Sequence, residues 1–531
     1  MQPMRMALHK SRRRMVPVSA SYSPSASLVA RRDAVLIAAL VVAVHIANAL
    51  LAGWIGYLSP DSWDYLRLAK SLYINGYPGL DGSSYYAVFP FGYPLLLALV
   101  SPGLDLAQTA VASKLANAGL WISAYFVLRG MRISPVLAAA LVTTPFSLWI
   151  AAMSWSENLM LLALILTLAG IDRLQEGTSR RPGLTVLSLL AALLLGIASR
   201  YVFGFVILGF AAAYLVSFPK ALRPEIFLAL AVSEGFFVLY LLVNLRLTGY
   251  STGMERIAAS DSASYLVFTF AQANCRLLLS MMLPVATIAF LTVRHWQLNP
   301  MAIMTALTGV AYLAIITYLR WRNHFDPFDE RLLGPGWFLL ALALVLAARV
   351  HEPEARRLLG AIGLVCLSLW AGYWVHGKTA RHLVERGEAW TSPAQALANY
   401  VQAFHRDDQI TSLISVNVPS PRVSMDADPD LYYGNVDVFI PEHAPFDPRE
   451  TLDTFKKRVL AAGIDLDHCG VDFSRLAAKE KLAEIIDAHY RAGFTKFDRV
   501  FDSALADQIR KIFRASAFVP CREFLKDEPS R

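Results

Sequence analysis

Long apolar runs, separated by short polar stretches, fill most of this chain from about residue 34 to residue 376. A helix needs about twenty predominantly apolar residues to cross a bilayer. In lipid, only helices and closed barrels satisfy every backbone hydrogen-bonding group. We therefore predict a polytopic α-helical membrane protein with about eleven spans. They are placed near residues 34–54, 105–128, 134–152, 156–173, 183–198, 202–218, 225–247, 274–293, 300–319, 334–349 and 358–376.

The composition narrows the class of protein further. Of the 531 residues, 56% are hydrophobic and 17% are charged, whereas soluble domains carry about 25% charged residues. These values exclude an ordinary soluble enzyme and a disordered chain. Four cysteines are too few for a small disulfide-stapled protein. We find no Walker A loop, no dinucleotide fingerprint and no hydrolase motif.

The distribution of positive charge predicts an orientation. Arginines and lysines crowd residues 1–33, a basic tail that the positive-inside rule places in the cytoplasm. An odd number of spans then puts residues 378–531 on the outer side, as an extracytoplasmic soluble domain. Residues 34–377 form the transmembrane domain, with a long first outer loop at residues 55–104. We expect a bacterial inner or plasma membrane.

The C-terminal region is predicted to be an α/β or α+β domain. Residues 410–418 and 436–440 alternate like strands, and amphipathic helices are expected at 449–462, 474–492 and 503–513. If this region is extracytoplasmic, its two cysteines at positions 469 and 521 have the option of pairing, but their spacing alone does not show that they are close.

The first outer loop carries two carboxylates, Asp61 and Asp64, just beyond the first span. Helical spacing in residues 61–75 predicts a short helix lying in the membrane interface. The apolar residues 89–100 are too few to span the membrane and predict a juxtamembrane or re-entrant helix. A carboxylate in a cleft at the membrane boundary can act as a general base. The alternative is that both are ordinary acids of a first helical turn.

Glu157 and the pair Arg200-Tyr201 also stand at predicted outer ends of spans. Glu157 opens the fourth span, where an acid at a helix start is the alternative to a functional role. Arg200 lies between two closely spaced spans. Its guanidinium matches phosphate oxygens through two parallel hydrogen bonds, and the alternative is an arginine that reaches from a span end to the interface.

The loop between the ninth and tenth spans is rich in positive charge, against the predicted asymmetry. Arg322, His324 and Arg331 are candidates for binding a lipid phosphate, and the alternative is a short loop without influence on topology. Within the spans, Lys114 and Glu234 are energetically costly. Each is a functional candidate by default, unless the two form a structural ion pair.

Five short motifs on the predicted outer side occur in one order along the chain. They are Asp61-Ser-Trp-Asp64-Tyr65 with Ala69, Phe89-Pro90-Phe91-Gly92-Tyr93-Pro94, Ser156-Glu157-Asn158-Leu159, Ser199-Arg200-Tyr201 and Arg331-Leu-Leu-Gly-Pro335. Together they resemble the GT-C glycosyltransferases, integral-membrane enzymes that take a sugar from a polyprenyl-phosphate donor. The protein mannosyltransferase and aminoarabinose transferase-like families belong to this group. The resemblance covers about residues 34–350.

The sequence differs from the motifs of both of these families, the aminoarabinose transferases and the protein mannosyltransferases, at a few positions. Val88 and Phe89 stand where the aminoarabinose-transferring branch has a lysine before paired prolines. Ser62 follows Asp61, where the protein O-mannosyl branch has a glutamate. The substrate branch therefore stays open.

The resemblance implies a role for each matching residue. Asp61 would be the catalytic carboxylate that accepts the proton of the acceptor hydroxyl, in a single displacement with inversion. Asp64 and Glu157 are the further catalytic candidates, and Glu157 would orient the sugar or a base. The residues that would bind the lipid phosphate and the sugar are Tyr65, Arg200, Tyr201, Arg322, His324 and Arg331.

The implied partners are a polyprenyl-phosphate-linked sugar, a glycan, lipid or protein acceptor, and membrane lipids, with no nucleic acid. A divalent metal is a candidate cofactor if Asp61 lies beside Asp64 or Glu157. The main alternative is a polytopic transporter or flippase without transferase activity, which predicts repeat symmetry and ionisable residues at mid-membrane. A non-catalytic scaffold is the third possibility.

Overall fold

The computed structural model describes most of the helical region and four strands near the C-terminus. The described residues are 24–53, 60–79, 85–103, 106–177, 181–253, 263–293, 296–323, 328–348, 354–376, 412–416, 436–439, 469–472 and 518–520.

The helical region contains helices α1 to α15 in chain order. Their bounds are α1 Pro24–Leu51, α2 Pro60–Asn75, α3 Gly92–Val100, α4 Leu106–Gly130, α5 Pro135–Val142, α6 Pro145–Ala152, α7 Glu157–Glu176, α8 Pro182–Ser199, α9 Val202–Ser217, α10 Pro224–Thr248, α11 Ala263–Leu277, α12 Leu283–Thr292, α13 Pro300–Arg322, α14 Glu330–Ala347 and α15 Glu354–His376. A single π-helical turn, Leu278–Met282, joins α11 to α12.

The prediction of a polytopic α-helical membrane protein is confirmed. Within the described residues, eight helices are long and apolar enough to cross a membrane, or nine when the bent pair α5 and α6 counts as one span. The two remaining predicted spans are also helices. One of them, α9, has only 16 residues, and the other, α7, carries acidic and basic residues in its first and last turns. The orientation of the chain stays a prediction.

The span predicted at residues 134–152 is wrong as one straight helix. It is divided into α5 and α6, which are bent by 53°. Pro145 lacks an N–H and cannot continue the preceding helix. Thr144 then caps α6, because its hydroxyl accepts a hydrogen bond from the Ser147 N–H at 3.1 Å. Hydropathy alone does not report such a break, since both halves are apolar.

The span predicted at residues 274–293 begins too late. Helix α11 already begins at Ala263 and continues through the π-helical turn to Thr292. The polar residues Gln272, Asn274 and Arg276 lie in the second half of α11, so hydropathy divides one helix and places the start of the span after them.

Buried polar side chains of α1 and α15 hold the broken span. The His45 ring lies 3.0 Å from the carbonyl oxygen of Val142, and Asn48 donates to the carbonyl oxygen of Leu148 at 2.9 Å. The Asn48 amide oxygen lies 2.8 Å from the His376 ring. A buried carbonyl without a partner is costly, so these bonds stabilise the bend.

The first outer loop contains the two short helices that the sequence predicts. Helix α2 buries Tyr65, Leu68 and Ala69, three residues of its predicted apolar face. Helix α3 packs against α2 and α4, and its nine residues are too few to span a bilayer. This loop therefore adds two helices to one end of the bundle. We call it the site end; there α7 and α14 begin and α8 is followed by α9.

Four strands in the C-terminal region form one mixed sheet. They are β1 Ser412–Val416, β2 Val436–Phe439, β3 Cys469–Asp472 and β4 Phe518–Pro520, in the spatial order β2-β1-β3-β4. Strand β1 pairs antiparallel with β2 and parallel with β3, and β4 pairs antiparallel with β3. The two predicted strands are confirmed as β1 and β2. The predicted helices of this region lie outside the described residues, as does the cysteine at position 521.

Candidate functional site

Four charged side chains meet at the site end of the bundle, each from a different element. Asp61 lies in the first turn of α2, Glu157 begins α7, Arg200 follows α8, and Arg331 lies in the first turn of α14. We call these four residues the charged cluster. The bundle thus brings together residues that stand up to 270 positions apart in the chain.

Ion pairs connect the members of the charged cluster. Glu157 Oε1 accepts hydrogen bonds from Arg200 Nη1 and from Arg331 Nε. Arg331 Nη1 donates in addition to Asp61 Oδ2. The order is therefore Arg200, Glu157, Arg331, Asp61, with alternating positive and negative groups. Two carboxylates and two guanidiniums leave the cluster close to neutral.

The four side chains differ in how far they are exposed. Glu157 is 1% exposed and Arg331 is 7% exposed, whereas Asp61 and Arg200 are 27% and 22% exposed. A molecule that enters from the surrounding medium therefore reaches Asp61 and Arg200 first. Glu157 lies behind the two arginines and holds both guanidiniums in place.

Arg331 is fixed from two sides. Its guanidinium carbon lies 4.5 Å from the centre of the Trp155 ring, a cation–π contact. The helix that carries Arg331 begins at a capping residue, Asp329, whose carboxylate accepts from the Leu332 N–H at 2.8 Å. The cap sets where α14 begins and hence where Arg331 points.

The segment from Met153 to Ser156 joins α6 to α7 and is buried with Glu157. Its backbone is held by amide side chains on both sides. Asn117 of α4 donates to the Met153 carbonyl oxygen at 2.7 Å, and Asn158 donates to the Trp155 carbonyl oxygen at 2.9 Å. These bonds satisfy carbonyl groups that the break between the two helices leaves without helical partners.

Lys114 lies one turn from Asn117 on the same helix and is 3% exposed. Its ammonium donates to the Ser154 hydroxyl at 2.8 Å. The alternative that Lys114 and Glu234 form an ion pair is wrong. Glu234 lies on α10, which packs against α8 and α9, and its buried Oε2 atom has no hydrogen-bond partner among the described residues.

Tyr65 contacts the cluster through the residue before Glu157. Its hydroxyl lies 2.7 Å from the Ser156 hydroxyl, and its side chain is fully buried. Burial raises the pKa of the Tyr65 phenol well above its ordinary value. The phenol therefore stays protonated and acts as a neutral hydrogen-bonding group that joins α2 to the start of α7.

Tyr201 follows Arg200 directly and is bonded to two other parts of the chain. Its hydroxyl donates to the Ala87 carbonyl oxygen and accepts from the Asn244 side chain at 2.8 Å. Its ring packs against Tyr240, with the ring centres 5.6 Å apart. These contacts attach the first outer loop to the bundle, and Tyr201 is 9% exposed.

Three other predicted residues are not members of the charged cluster as it is defined here. Asp64 lies one turn beyond Asp61 on α2 and is partly buried. Arg322 is exposed at the last residue of α13. His324 lies outside the described residues. The roles predicted for all nine site residues stay predictions.

The sequence analysis missed two residues beside the cluster. Trp155 directly precedes the motif Ser156-Glu157-Asn158-Leu159, and its ring contacts the Arg331 guanidinium. Tyr312 of α13 is 2% exposed and lies within electrostatic range of Arg200, Glu157 and Arg331. The position of Trp155 next to Glu157 was a usable signal. Tyr312 gave none, because an isolated tyrosine in an apolar span is common.

The carboxylates of the cluster do not form a ready site for a divalent metal. Arg331 lies between Asp61 and Glu157 and binds both. In the part of the chain that the structure describes, no three His, Cys, Asp or Glu residues are grouped so that they could hold a metal ion.

The arrangement suits chemistry on an anionic substrate at a membrane boundary. A partly exposed carboxylate can accept a proton. A partly exposed arginine at the other end of the same cluster can bind phosphate oxygens. Both are anchored by buried charges that need no rearrangement when charge develops on a substrate.

Comparisons with known proteins identify no family for the chain. No family model matches it, and no curated protein matches it. Among solved structures, it is similar to ArnT from Cupriavidus metallidurans in the apo state, with a TM-score of 0.49 and 14% identity over 85% of this chain and 94% of that chain. It is also similar to ArnT from the same organism bound to undecaprenyl phosphate, with a TM-score of 0.46 and 16% identity over 68% and 70% of the two chains.

Proposed function

We propose that this protein is a membrane glycosyltransferase that moves a sugar from a polyprenyl-phosphate donor to an acceptor on the extracytoplasmic face. The observation that carries the proposal is the charged cluster of Asp61, Glu157, Arg200 and Arg331 at one end of an apolar bundle. These residues are members of four of the motifs that resemble the GT-C glycosyltransferases. The motifs are distant in sequence and adjacent in the fold.

Asp61 is the proposed catalytic carboxylate. It is the most exposed member of the cluster, and it is held through one of its oxygens by Arg331. The acceptor hydroxyl attacks the anomeric carbon, so that a bond from acceptor oxygen to sugar carbon forms while the bond from sugar carbon to phosphate oxygen breaks. The acceptor proton goes to Asp61 and the electron pair goes to the leaving phosphate. A single displacement of this kind inverts the anomeric configuration.

Arg200 and Arg331 are proposed to bind the leaving polyprenyl phosphate. A phosphodiester donor carries one negative charge, and the charge on its phosphate grows as the glycosidic bond breaks. Positioned guanidiniums stabilise this growing charge more than they stabilise the donor. Arg200 is 22% exposed and so can face the phosphate directly.

Glu157 is proposed to act as a positioning residue. Its side chain is almost fully buried and both of its neighbours in the cluster are arginines. It therefore orients the two guanidiniums and does not itself reach the sugar. This narrows the sequence prediction, in which Glu157 was a catalytic candidate.

The apolar helices around the cluster suit a lipid-linked donor, because the polyprenyl chain can stay in the bilayer while its phosphate reaches the membrane boundary. The acceptor is a glycan, a lipid or a protein. A transporter was the alternative in the sequence analysis, and it was supported by Lys114 and Glu234. Lys114, however, donates to Ser154 in the segment that leads to Glu157, so it belongs to the surroundings of the charged cluster and not to a mid-membrane pathway. The transferase is therefore the function that the site supports best.

The test is a transfer assay on the purified full-length protein in lipid. A panel of radiolabelled polyprenyl-phosphate sugars is offered, and release of free polyprenyl phosphate and movement of the label are followed. We expect turnover of one donor class. Binding of every donor by the wild type with no release under any acceptor would contradict the transferase and favour a transporter.

Two matched arginine variants make the assay specific to the site. Arg200→Gln removes a cluster arginine, and we expect it to raise KM for the donor and lower kcat. Arg246→Gln removes an exposed arginine in the last turn of α10 that is not among the predicted site residues, and we expect it to retain most activity. Equal losses in both variants would argue against the phosphate-binding role of Arg200.

A further inference from the structure

An arginine and a glutamate form an ion pair on the surface of the bundle, close to the charged cluster. Arg276 Nη1 of α11 lies 3.3 Å from Glu330 Oε1, and the two side chains are 52% and 21% exposed. Glu330 begins the membrane-spanning helix α14, so the pair lies at the membrane boundary of the site end. An exposed ion pair adds little stability, whereas charged side chains in membrane-spanning segments commonly mark a binding site.

An apolar groove begins one helical turn from Arg276. It runs between α15 and the continuous helical segment Ala263–Thr292, which contains α11, the π-helical turn and α12. We call it the α12–α15 groove. Leu279 lines this groove three residues after Arg276, and residues with this spacing are neighbours on a helix surface. Because both side chains are exposed, a ligand in the groove has the Arg276 guanidinium at one end.

The α12–α15 groove has an apolar floor and is open toward the lipid. Ile288 and Leu367 are buried at its floor, whereas Leu283 and Trp370 are exposed at its edges. Hydrocarbon chains of the bilayer therefore reach the groove without any movement of the helices. The apolar lining selects the chain of a lipid, and the charges beside it select the headgroup.

The groove extends from headgroup level to about the centre of the bilayer. A Cβ atom built on Gly363 of α15 would lie 4.0 Å from Leu291, so Trp370, later in α15, lies toward the Arg276 end. Trp374 follows one turn further, with its ring centre 5.6 Å from that of Trp370, and tryptophans are enriched at the headgroup level. The helix rises about 18 Å from Leu279 to Leu291, close to the hydrocarbon depth of one leaflet, about 15 Å.

We propose that the Arg276–Glu330 pair and the α12–α15 groove bind one phospholipid whose headgroup carries both a phosphate and an ammonium group, as phosphatidylethanolamine does. The headgroup is the charge complement of the pair. Arg276 donates to the phosphate oxygens, Glu330 accepts from the ammonium, and an acyl chain lies in the groove. Both protein side chains are exposed enough to make these bonds.

The ion pair distinguishes this lipid from two other phosphate-bearing lipids. Phosphatidylglycerol offers a phosphate to Arg276 but no cation to Glu330. A polyprenyl phosphate also leaves Glu330 without a cation, and its chain is longer than the groove. The proposed lipid site therefore differs from the proposed donor site at Arg200, and it does not depend on the transferase function.

The first test measures lipid binding to the purified, delipidated full-length protein by native mass spectrometry. Phosphatidylethanolamine, phosphatidylglycerol and a polyprenyl phosphate are titrated separately. We expect one phosphatidylethanolamine per chain, bound more tightly than the other two. Arg276→Gln should weaken its binding by about tenfold, the factor that corresponds to one hydrogen bond between charged groups. Glu330→Gln should bind phosphatidylethanolamine and phosphatidylglycerol equally.

The matched control is Arg246→Gln, which removes an exposed arginine in the last turn of α10. It should keep the affinity and the lipid preference of the wild type. Because an exposed ion pair adds little stability, Arg276→Gln and Arg246→Gln should unfold at nearly the same temperature as the wild type. A loss of lipid binding in Arg276→Gln then reports the site and not the fold.

The second test locates the bound lipid through Cys366, a free and exposed cysteine that lines the α12–α15 groove. Its alkylation by N-ethylmaleimide is followed by mass spectrometry of peptides. Phosphatidylethanolamine at ten times its Kd or more should slow this alkylation by about tenfold in the wild type. The same lipid concentration should protect Cys366 much less in Arg276→Gln.

Four results would overturn the proposal. One is a wild type that binds none of the three lipids. Another is equal affinity for phosphatidylethanolamine and phosphatidylglycerol, which would remove the role of Glu330. A third is tighter binding of the polyprenyl phosphate, which would assign the groove to the donor. The last is Cys366 alkylation that saturating phosphatidylethanolamine does not slow, which would place the lipid elsewhere.

Discussion

Replacing Glu157 by glutamine perturbs the charged cluster at its most buried member. Glu157→Gln keeps the shape of the side chain and an acceptor oxygen, but it removes the negative charge that Arg200 and Arg331 share. Two guanidiniums then face each other with only Asp61 to balance them. The same change leaves the proposed catalytic carboxylate in place.

The loss of folding free energy that we expect for Glu157→Gln follows from the burial of the ion pairs that Glu157 forms. Breaking a buried ion pair by removing one partner costs about 3–5 kcal/mol of folding free energy. Glu157 is 1% exposed and Arg331 is 7% exposed, so their pair belongs to this class. Arg200 is 22% exposed and regains hydration, and Arg331 keeps Asp61. We therefore expect a loss near the lower end, about 3 kcal/mol.

The assay compares thermal unfolding and donor affinity in detergent for the wild type, the single variants Glu157→Gln and Arg200→Gln, and the double variant that combines them. The double variant restores the charge balance, so it should recover part of the stability lost in Glu157→Gln while donor affinity stays low. A Glu157→Gln protein as stable as the wild type, or a double variant less stable than both single variants, would refute the reasoning.

Other predictions concern the supports and the orientation of the site. Tyr65→Phe removes the bond to Ser156 and should cost about 0.5–1.5 kcal/mol in thermal unfolding; an unchanged unfolding curve would contradict it. Gly92→Ala places a Cβ 2.6 Å from the Ala198 carbonyl oxygen and should lower both stability and activity, whereas Gly183→Ala, in open space on α8, should change neither; equal effects would contradict this. A reporter fused after residue 378 should be active only on the extracytoplasmic side, and cytoplasmic activity would reverse the predicted orientation.

The spans could be predicted because a helix that crosses a bilayer needs a long run of apolar residues, and such runs can be read directly from the sequence. The break between α5 and α6 could have been predicted from Thr144 and Pro145, since a capping residue before a proline is a helix start. The extension of α11 could not, because its polar residues are tolerated only through contacts with other helices. One such contact is the bond of 2.7 Å from Trp337 to Asn274.

The members of the charged cluster could be predicted one at a time, from charges at span ends and from their motifs. Their mutual contacts could not, because Asp61 and Arg331 are joined only when α2 and α14 pack at the same end of the bundle. The wrong pairing of Lys114 with Glu234 has the same cause. Both residues are costly in lipid, but cost alone does not show which helices are neighbours.

The central claim is that Asp61 is the catalytic carboxylate of a sugar transfer. The measurement that tests it most directly is the turnover of a polyprenyl-phosphate sugar by Asp61→Asn and by Asp64→Asn, beside the wild type. Asp64 is the matched comparison, since it lies one turn away on the same helix. The account predicts that Asp61→Asn binds donor and unfolds like the wild type but loses turnover by about 100-fold or more, while Asp64→Asn retains turnover. Full turnover by Asp61→Asn would contradict the account.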